Sequence, residues 1–159
     1  MIKSWMMKGK SGEKSLLLGT DTNTGTANGS RGGYIYYGRV KADKSGSCVE
    51  IHVYAGVDST VRMAIYSDKA GPLPDLLLGE SASTPVINSQ WNVVPLLAPV
   101  AIVKDSYYWI GAQCDLASGG FRTFANAGDQ YGESNYGPFA SPPTIWGTLN
   151  LGVTAGGWG

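Results

Sequence analysis

Residues 46–68, GSCVEIHVYAGVDSTVRMAIYSD, decide the fold class. From Cys48 to Tyr54, Val49, Ile51 and Val53 alternate with Glu50, His52 and Tyr54. Side chains that swap faces at every residue belong to a strand with one buried side. Val61–Ser67 repeats the pattern, with Val61, Met63 and Ile65 opposing Arg62, Ala64 and Tyr66. The link Ala55–Thr60 is short and polar, which predicts that the two strands form a hairpin.

Working outward, Ser15–Leu18, Tyr34–Val40, Leu76–Ser81, Trp91–Leu96, Val100–Val103, Tyr107–Gln113, Phe121–Phe124 and Thr144–Leu151 read as further short strands. Turn chemistry separates them at Lys44-Ser45-Gly46-Ser47, Gly71-Pro72-Leu73-Pro74, Asn88-Ser89-Gln90 and Ser118-Gly119-Gly120. Glycine, proline or a Ser/Thr cluster interrupts nearly every stretch before two helical turns could form. Many strands without intervening helices predict an all-β fold, an antiparallel β-sandwich of jelly-roll type with two packed sheets. It is expected as a single domain over residues 1–159, with 1–14 as a flexible, solvated N-terminal segment. Residues 20–33 (TDTNTGTANGSRGG) and 125–143 (ANAGDQYGESNYGPFASPP) read as long loops, and the second is the better place for a site because loop aromatics have no core to explain them.

Composition excludes several function classes. Hydrophobic residues make up 43% and charged residues 15%, with 23 glycines and 5 tryptophans, so the chain is neither disordered nor helix-rich. Twelve basic side chains balance twelve acidic ones, which leaves no cationic field for nucleic acid. The start MIKSWMMKGK lacks the apolar run of a signal peptide, and no stretch reaches the length of a membrane span. Cys48 and Cys114 allow one disulfide and require none, and their spacing is not that of a metal site.

Motifs for catalysis or cofactors are weak. Gly9-Lys10-Ser11 ends like a phosphate-binding loop, but Ser4 stands where the pattern needs glycine, and too few residues precede it for a strand. Asp21-Thr22-Asn23-Thr24-Gly25 opens like a calcium loop, but Gly32 occupies the twelfth position and supplies no carboxylate. No cofactor is expected, and a structural calcium has no matching motif. His52 is the only histidine; it reads as part of a surface cluster with Glu50 and, across the expected hairpin, Arg62. Asp129 and Glu133 form the one close carboxylate pair of the second loop, where wet, ionised acids serve better as hydrogen-bond acceptors than as a glycosidase pair.

Residues 46–54 (GSCVEIHVY), 61–68 (VRMAIYSD), 71–78 (GPLPDLLL), 91–96 (WNVVPL) and 107–111 (YYWIG) together resemble an accessory β-sandwich module, carbohydrate-binding-module-like, of secreted bacterial and phage proteins. The resemblance covers roughly 16–113 and implies framework more than ligand. It implies an extracellular setting, at a cell surface or virion, and attachment to a larger multidomain protein. In this frame Trp91 and Trp109 read as core residues of opposite sheets.

The distal region, over which the resemblance fades, carries the functional expectation. Phe121, Phe124, Tyr131, Tyr136, Phe139, Trp146 and Trp158 are interleaved with Arg122, Asn126, Asp129, Gln130, Asn135 and Asn150. Flat aromatic rings stack on the C–H faces of pyranoses, while amides, carboxylates and guanidinium groups bond their hydroxyls. The three phenylalanines read as packing. Tyr131, Tyr136 and Trp146 are the expected platforms, and Arg122, Asp129, Gln130 and Asn135 the expected hydrogen-bonding residues. The function expected is non-catalytic polysaccharide binding, with no nucleic-acid partner and no membrane insertion. The alternative is a structural or assembly module of a surface or phage tail protein.

Overall fold

The computed structural model describes residues 2–8, 14–18, 26–28, 34–69, 74–116, 121–123, 131–135, 139, 141–144 and 151–152; for 2–8, 14, 26–28, 121–123, 131–135 and 151–152 it describes the backbone. Thirteen strands and no helix occur among these residues. They are β1 (Ile2–Lys8), β2 (Lys14–Leu16), β3 (Thr26–Asn28), β4 (Tyr34–Lys41), β5 (Gly46–Tyr54), β6 (Ser59–Asp68), β7 (Pro74–Glu80), β8 (Thr84–Val86), β9 (Trp91–Ile102), β10 (Tyr107–Cys114), β11 (Phe121–Thr123), β12 (Tyr131–Asn135) and β13 (Leu151–Gly152). The fold is all-β, and every pairing is antiparallel.

A smaller sheet has the order β2-β1-β5-β9, and a larger one runs β13-β12-β4-β10-β6-β7 with β8 also on β6. A ribbon of β3 and β11 forms a third, two-stranded sheet that lies against β1 and β5. One buried cluster joins the two large layers: Ile51 and Val53 of β5 and Val94 of β9 pack with Met63 and Ile65 of β6 and Ile110 of β10. Each such side chain contributes about 1.5–3 kcal/mol by leaving water.

The decisive 46–68 stretch forms two strands but not a hairpin. β5 pairs with β1 and β9, whereas β6 pairs with β10, β7 and β8. The link after Tyr54 therefore crosses from one sheet to the other. Both strands present apolar residues at alternate positions, and those rows meet face to face in the same cluster. Burial is satisfied equally by strands stacked across a core and by strands lying side by side, so periodicity alone could not choose between them.

Four other expectations change. Trp91–Leu96 and Val100–Val103 merge into β9, whose register against β5 jumps so that Cys48 faces Val100 and Glu50 faces Pro95. The residues skipped by that irregularity include Pro99, which an edge strand tolerates because its outer N–H positions need no ladder partner. Tyr131–Asn135, expected within a loop, is a strand on β4, and Thr26–Asn28, also expected within a loop, pairs with β11. Ile2–Lys8, expected as a solvated segment, is a strand between β2 and β5; it occupies positions that a phosphate-binding loop ending in Gly9-Lys10-Ser11 would need, so that reading fails on backbone as well as on Ser4.

The central strands β4, β6 and β10 of the larger sheet are buried on both faces over much of their length. Tyr36, Tyr108 and Ile110 turn to the inter-sheet core, while Ile35, Tyr37, Ala64, Tyr66 and Trp109 form a second cluster on the opposite side. Described residues of the segment 139–144 lie against this second face. Leu77 N–H donates to Thr144 O at 3.1 Å, Arg62 Nη1 donates to Ser141 Oγ at 3.4 Å, and the Arg62 guanidinium stands 5.6 Å from the Phe139 ring centre.

Candidate functional site

The expected ligand residues fall on separate elements or outside the described residues. Tyr131 and Asn135 begin and end β12, opposite Gly38 and Tyr34 of β4. Arg122 lies in the β3–β11 ribbon, opposite Ala27, and so on a different sheet from Tyr131 and Asn135. Asp129, Gln130, Tyr136 and Trp146 lie outside the described residues, as do Phe124, Trp158 and the calcium-like stretch 21–25. Phe139 is half-buried beside Arg62, in keeping with a packing role.

Next to the start of β12 the larger sheet carries an ordered polar and aromatic group. Tyr131 faces Gly38, and the next residue of β4 is Arg39. Arg39 donates from Nε to Asp68 Oδ1 at 2.8 Å and from Nη2 to Oδ2 at 2.6 Å. Trp109 Nε1 donates to the same Oδ1 at 2.7 Å. The Arg39 guanidinium lies 3.9 Å from the centre of the Tyr107 ring, whose residue is 42% exposed. The Asp68 hydrogen bond raises the pKa of Arg39 above its already high value, so this cation persists at any working pH. A fork-shaped guanidinium pinned at two nitrogens holds the tyrosine ring in one place.

A second group sits at the other end, on the outer side of the smaller sheet. Trp91 and Tyr54 are cross-strand partners, with ring centres 5.4 Å apart and planes at 78°. Trp91 is half-buried and lies outside the inter-sheet cluster, contrary to the expectation that it is core. The alternation of β9 turns Asn92 and Val94 inward, and its neighbour must therefore point out. Trp109 is buried, at 1% exposure, but in the second cluster rather than between the sheets.

The loop beside Trp91 is tightly held. Asn92 Oδ1 accepts from Ile87 N–H at 2.8 Å, and its Nδ2 donates to Ile87 O at 2.9 Å and Gln90 O at 3.0 Å. Tyr54 donates its hydroxyl to Ser89 O at 2.7 Å, and Asp58 Oδ1 accepts from Asn88 N–H at 2.7 Å. Ser89 adopts φ 58°, a left-handed conformation that a non-glycine residue keeps only when its surroundings impose it.

His52 Nε2 lies 3.0 Å from Glu50 Oε1, so the expected pair forms, but with Glu50 buried instead of on the surface. Arg62 does not join it. Arg62 belongs to the larger sheet and meets Ser141 and Phe139, because β5 and β6 lie in different layers. Both cysteines are free and buried, and burial pushes the Cys48 thiol up to about 12. Among the described residues, no three His, Cys, Asp or Glu side chains come together as metal ligands.

Comparison with family models gives no match, and comparison with curated proteins and with solved structures gives none either.

Proposed function

We propose that this chain is a non-catalytic carbohydrate-binding module, a jelly-roll β-sandwich that holds an attached enzyme, cell-surface or virion component against a polysaccharide outside the cell. The observation that carries the reading is Tyr107, exposed and fixed by an Arg39 that is itself clamped by Asp68. An immobilised ring beside a guanidinium and a carboxylate combines a stacking surface with hydroxyl partners, and its ordering cost is met before the ligand arrives. Tyr131 and Asn135 lie on β12, across β4 from the strand of Tyr107; in this reading Tyr131, Tyr136 and Trp146 add stacking and Asp129, Gln130 and Asn135 add hydrogen bonds, while Arg122, on the separate β3–β11 ribbon, stands apart. The resemblance to accessory modules of secreted bacterial and phage proteins points the same way.

The test is affinity electrophoresis against soluble glucans, xylans and mannans. At least one polysaccharide is expected to retard the protein, and Tyr107→Ala, Tyr131→Ala and Trp146→Ala each to weaken the retardation. No retardation by any polysaccharide, or retardation undiminished in all three variants, rejects the reading.

A second reading, a structural or assembly module, is favoured by the exposed apolar residues Leu76 at 50% and Leu97 at 67%, on neighbouring strands β7 and β9. Size-exclusion chromatography with light scattering separates the two. A stable oligomer dispersed by Leu97→Asp supports assembly, and a monomer supports the sugar reading.

A further inference from the structure

We infer a second saccharide site on Tyr54, Trp91 and the loop tip Asn88-Ser89-Gln90, which makes the module bivalent. The inference rests on the carbohydrate reading and extends it to a surface built by other residues.

Three features define the site. The two rings meet edge to face at 5.4 Å and 78°, so each fixes the other, and both are only half-buried. Beside them Asn88, Ser89 and Gln90 are exposed, which places two amides and a hydroxyl in consecutive positions. The tip is also rigid: Asn92, Tyr54, Asp58 and Ala55 hold its backbone at Ile87, Asn88, Ser89 and Gln90. A loop held this firmly loses little freedom on binding.

The chemistry selects a neutral pyranose. Rings take the C–H face, and amides both donate and accept toward hydroxyls. The tip residues carry no charge, and the nearby Asp58 already accepts from Asn88 N–H. An anionic ligand would find no cation in this set, and nucleic acid would lack its main source of affinity.

The two sites are far apart. Asp68 of the first is the last residue of β6, while the loop that carries Asp58 leads into the first residue, Ser59. The ten residues of β6 span about 30 Å at roughly 3.3 Å per residue. The sites also occupy opposite outer faces, so one module would engage two saccharide segments, and linkage of this kind raises avidity by roughly 10²–10⁴.

Calorimetry with cellotriose, xylotriose and mannotriose tests the inference, since trisaccharides are too short to bridge both sites. Two molecules per chain are expected for the best ligand, falling to one in Trp91→Ala and to one in Tyr107→Ala. Should Trp91→Ala fail to show a cooperative thermal melt, the double variant Asn88→Ala with Gln90→Ala decides. It removes only exposed tip groups and is expected to weaken the second site about tenfold, the effect of losing one or two hydrogen bonds. One trisaccharide per chain in the wild type, or full stoichiometry and affinity in the folded Trp91 variant and in the double variant, overturns the second site and leaves the carbohydrate reading standing. No trisaccharide or polysaccharide bound at all overturns both.

Discussion

The indole N–H of Trp109 donates to Asp68 Oδ1 at 2.7 Å, joining β10 to the end of β6 from the outer face of the larger sheet. Asp68 thereby links a buried tryptophan to a surface arginine, since its two oxygens also take Arg39 Nε and Nη2. Tyr37 packs against the same indole edge to face, with ring centres 5.6 Å apart.

Replacing Asp68 therefore loosens both neighbours. Asp68→Asn is expected to cost about 2 kcal/mol, because charge-assisted hydrogen bonds contribute roughly 1.5–3 kcal/mol and Arg39 is left uncompensated. Urea denaturation of Asp68→Asn, Arg39→Ala and the double variant measures this. Single effects that simply add would show that the pair is not coupled.

The loop beside Trp91 depends on one buried amide. Asn92 is 9% exposed and makes three hydrogen bonds to the backbone of Ile87 and Gln90. Asn92→Ala is expected to lower stability by about 2–3 kcal/mol, at ~0.5–1.5 kcal/mol per bond. Asn92→Asp should do no better, since a carboxylate would face the two carbonyls that the amide now serves. Thermal melts of both variants provide the check.

Close packing between the layers predicts a steric effect. A Cβ added at Gly79 would stand 2.3 Å from Val100 Cγ2, with Val100 Cβ next at 3.9 Å. Gly79→Ala is expected to destabilise the fold by about 1–3 kcal/mol, the usual cost of overpacking. Adding Val100→Ala should cost less than the sum of the two single changes. At Gly38 an added Cβ meets nothing within 4 Å, so Gly38→Ala serves as the neutral control.

Cys48 gives a pH dependence. Burial raises its thiol from 9.0 to about 12, so between those values the folded chain holds a proton that the unfolded chain releases. Unfolding is then favoured as pH rises, and stability falls from about pH 9 upward. Urea midpoints at pH 8 and pH 10.5 should differ more in the wild type than in Cys48→Ala. At neutral pH the buried thiol should resist an aromatic disulfide reagent until urea unfolds the chain.

The alternation in Cys48–Tyr54 and Val61–Ser67, together with the Gly, Pro and Ser turns, was enough to specify an all-β chain of short strands, because a period of two has one structural meaning. A further signal lay in the unbroken runs YIYY at 34–37 and YYWIGA at 107–112: a strand apolar on both sides is buried on both sides, as Trp109 and Tyr37 are. Neighbours were not legible. Alternation states which residues share a face but not which strand lies beside them: both partners of β5, β1 and β9, and one partner of β6, β10, come from far away in sequence. Only the closing of the core decided that Ala55–Thr60 crosses between layers, that Arg62 parts from His52, and that Trp91 turns outward. Those outcomes follow from long-range packing, which a local pattern does not encode.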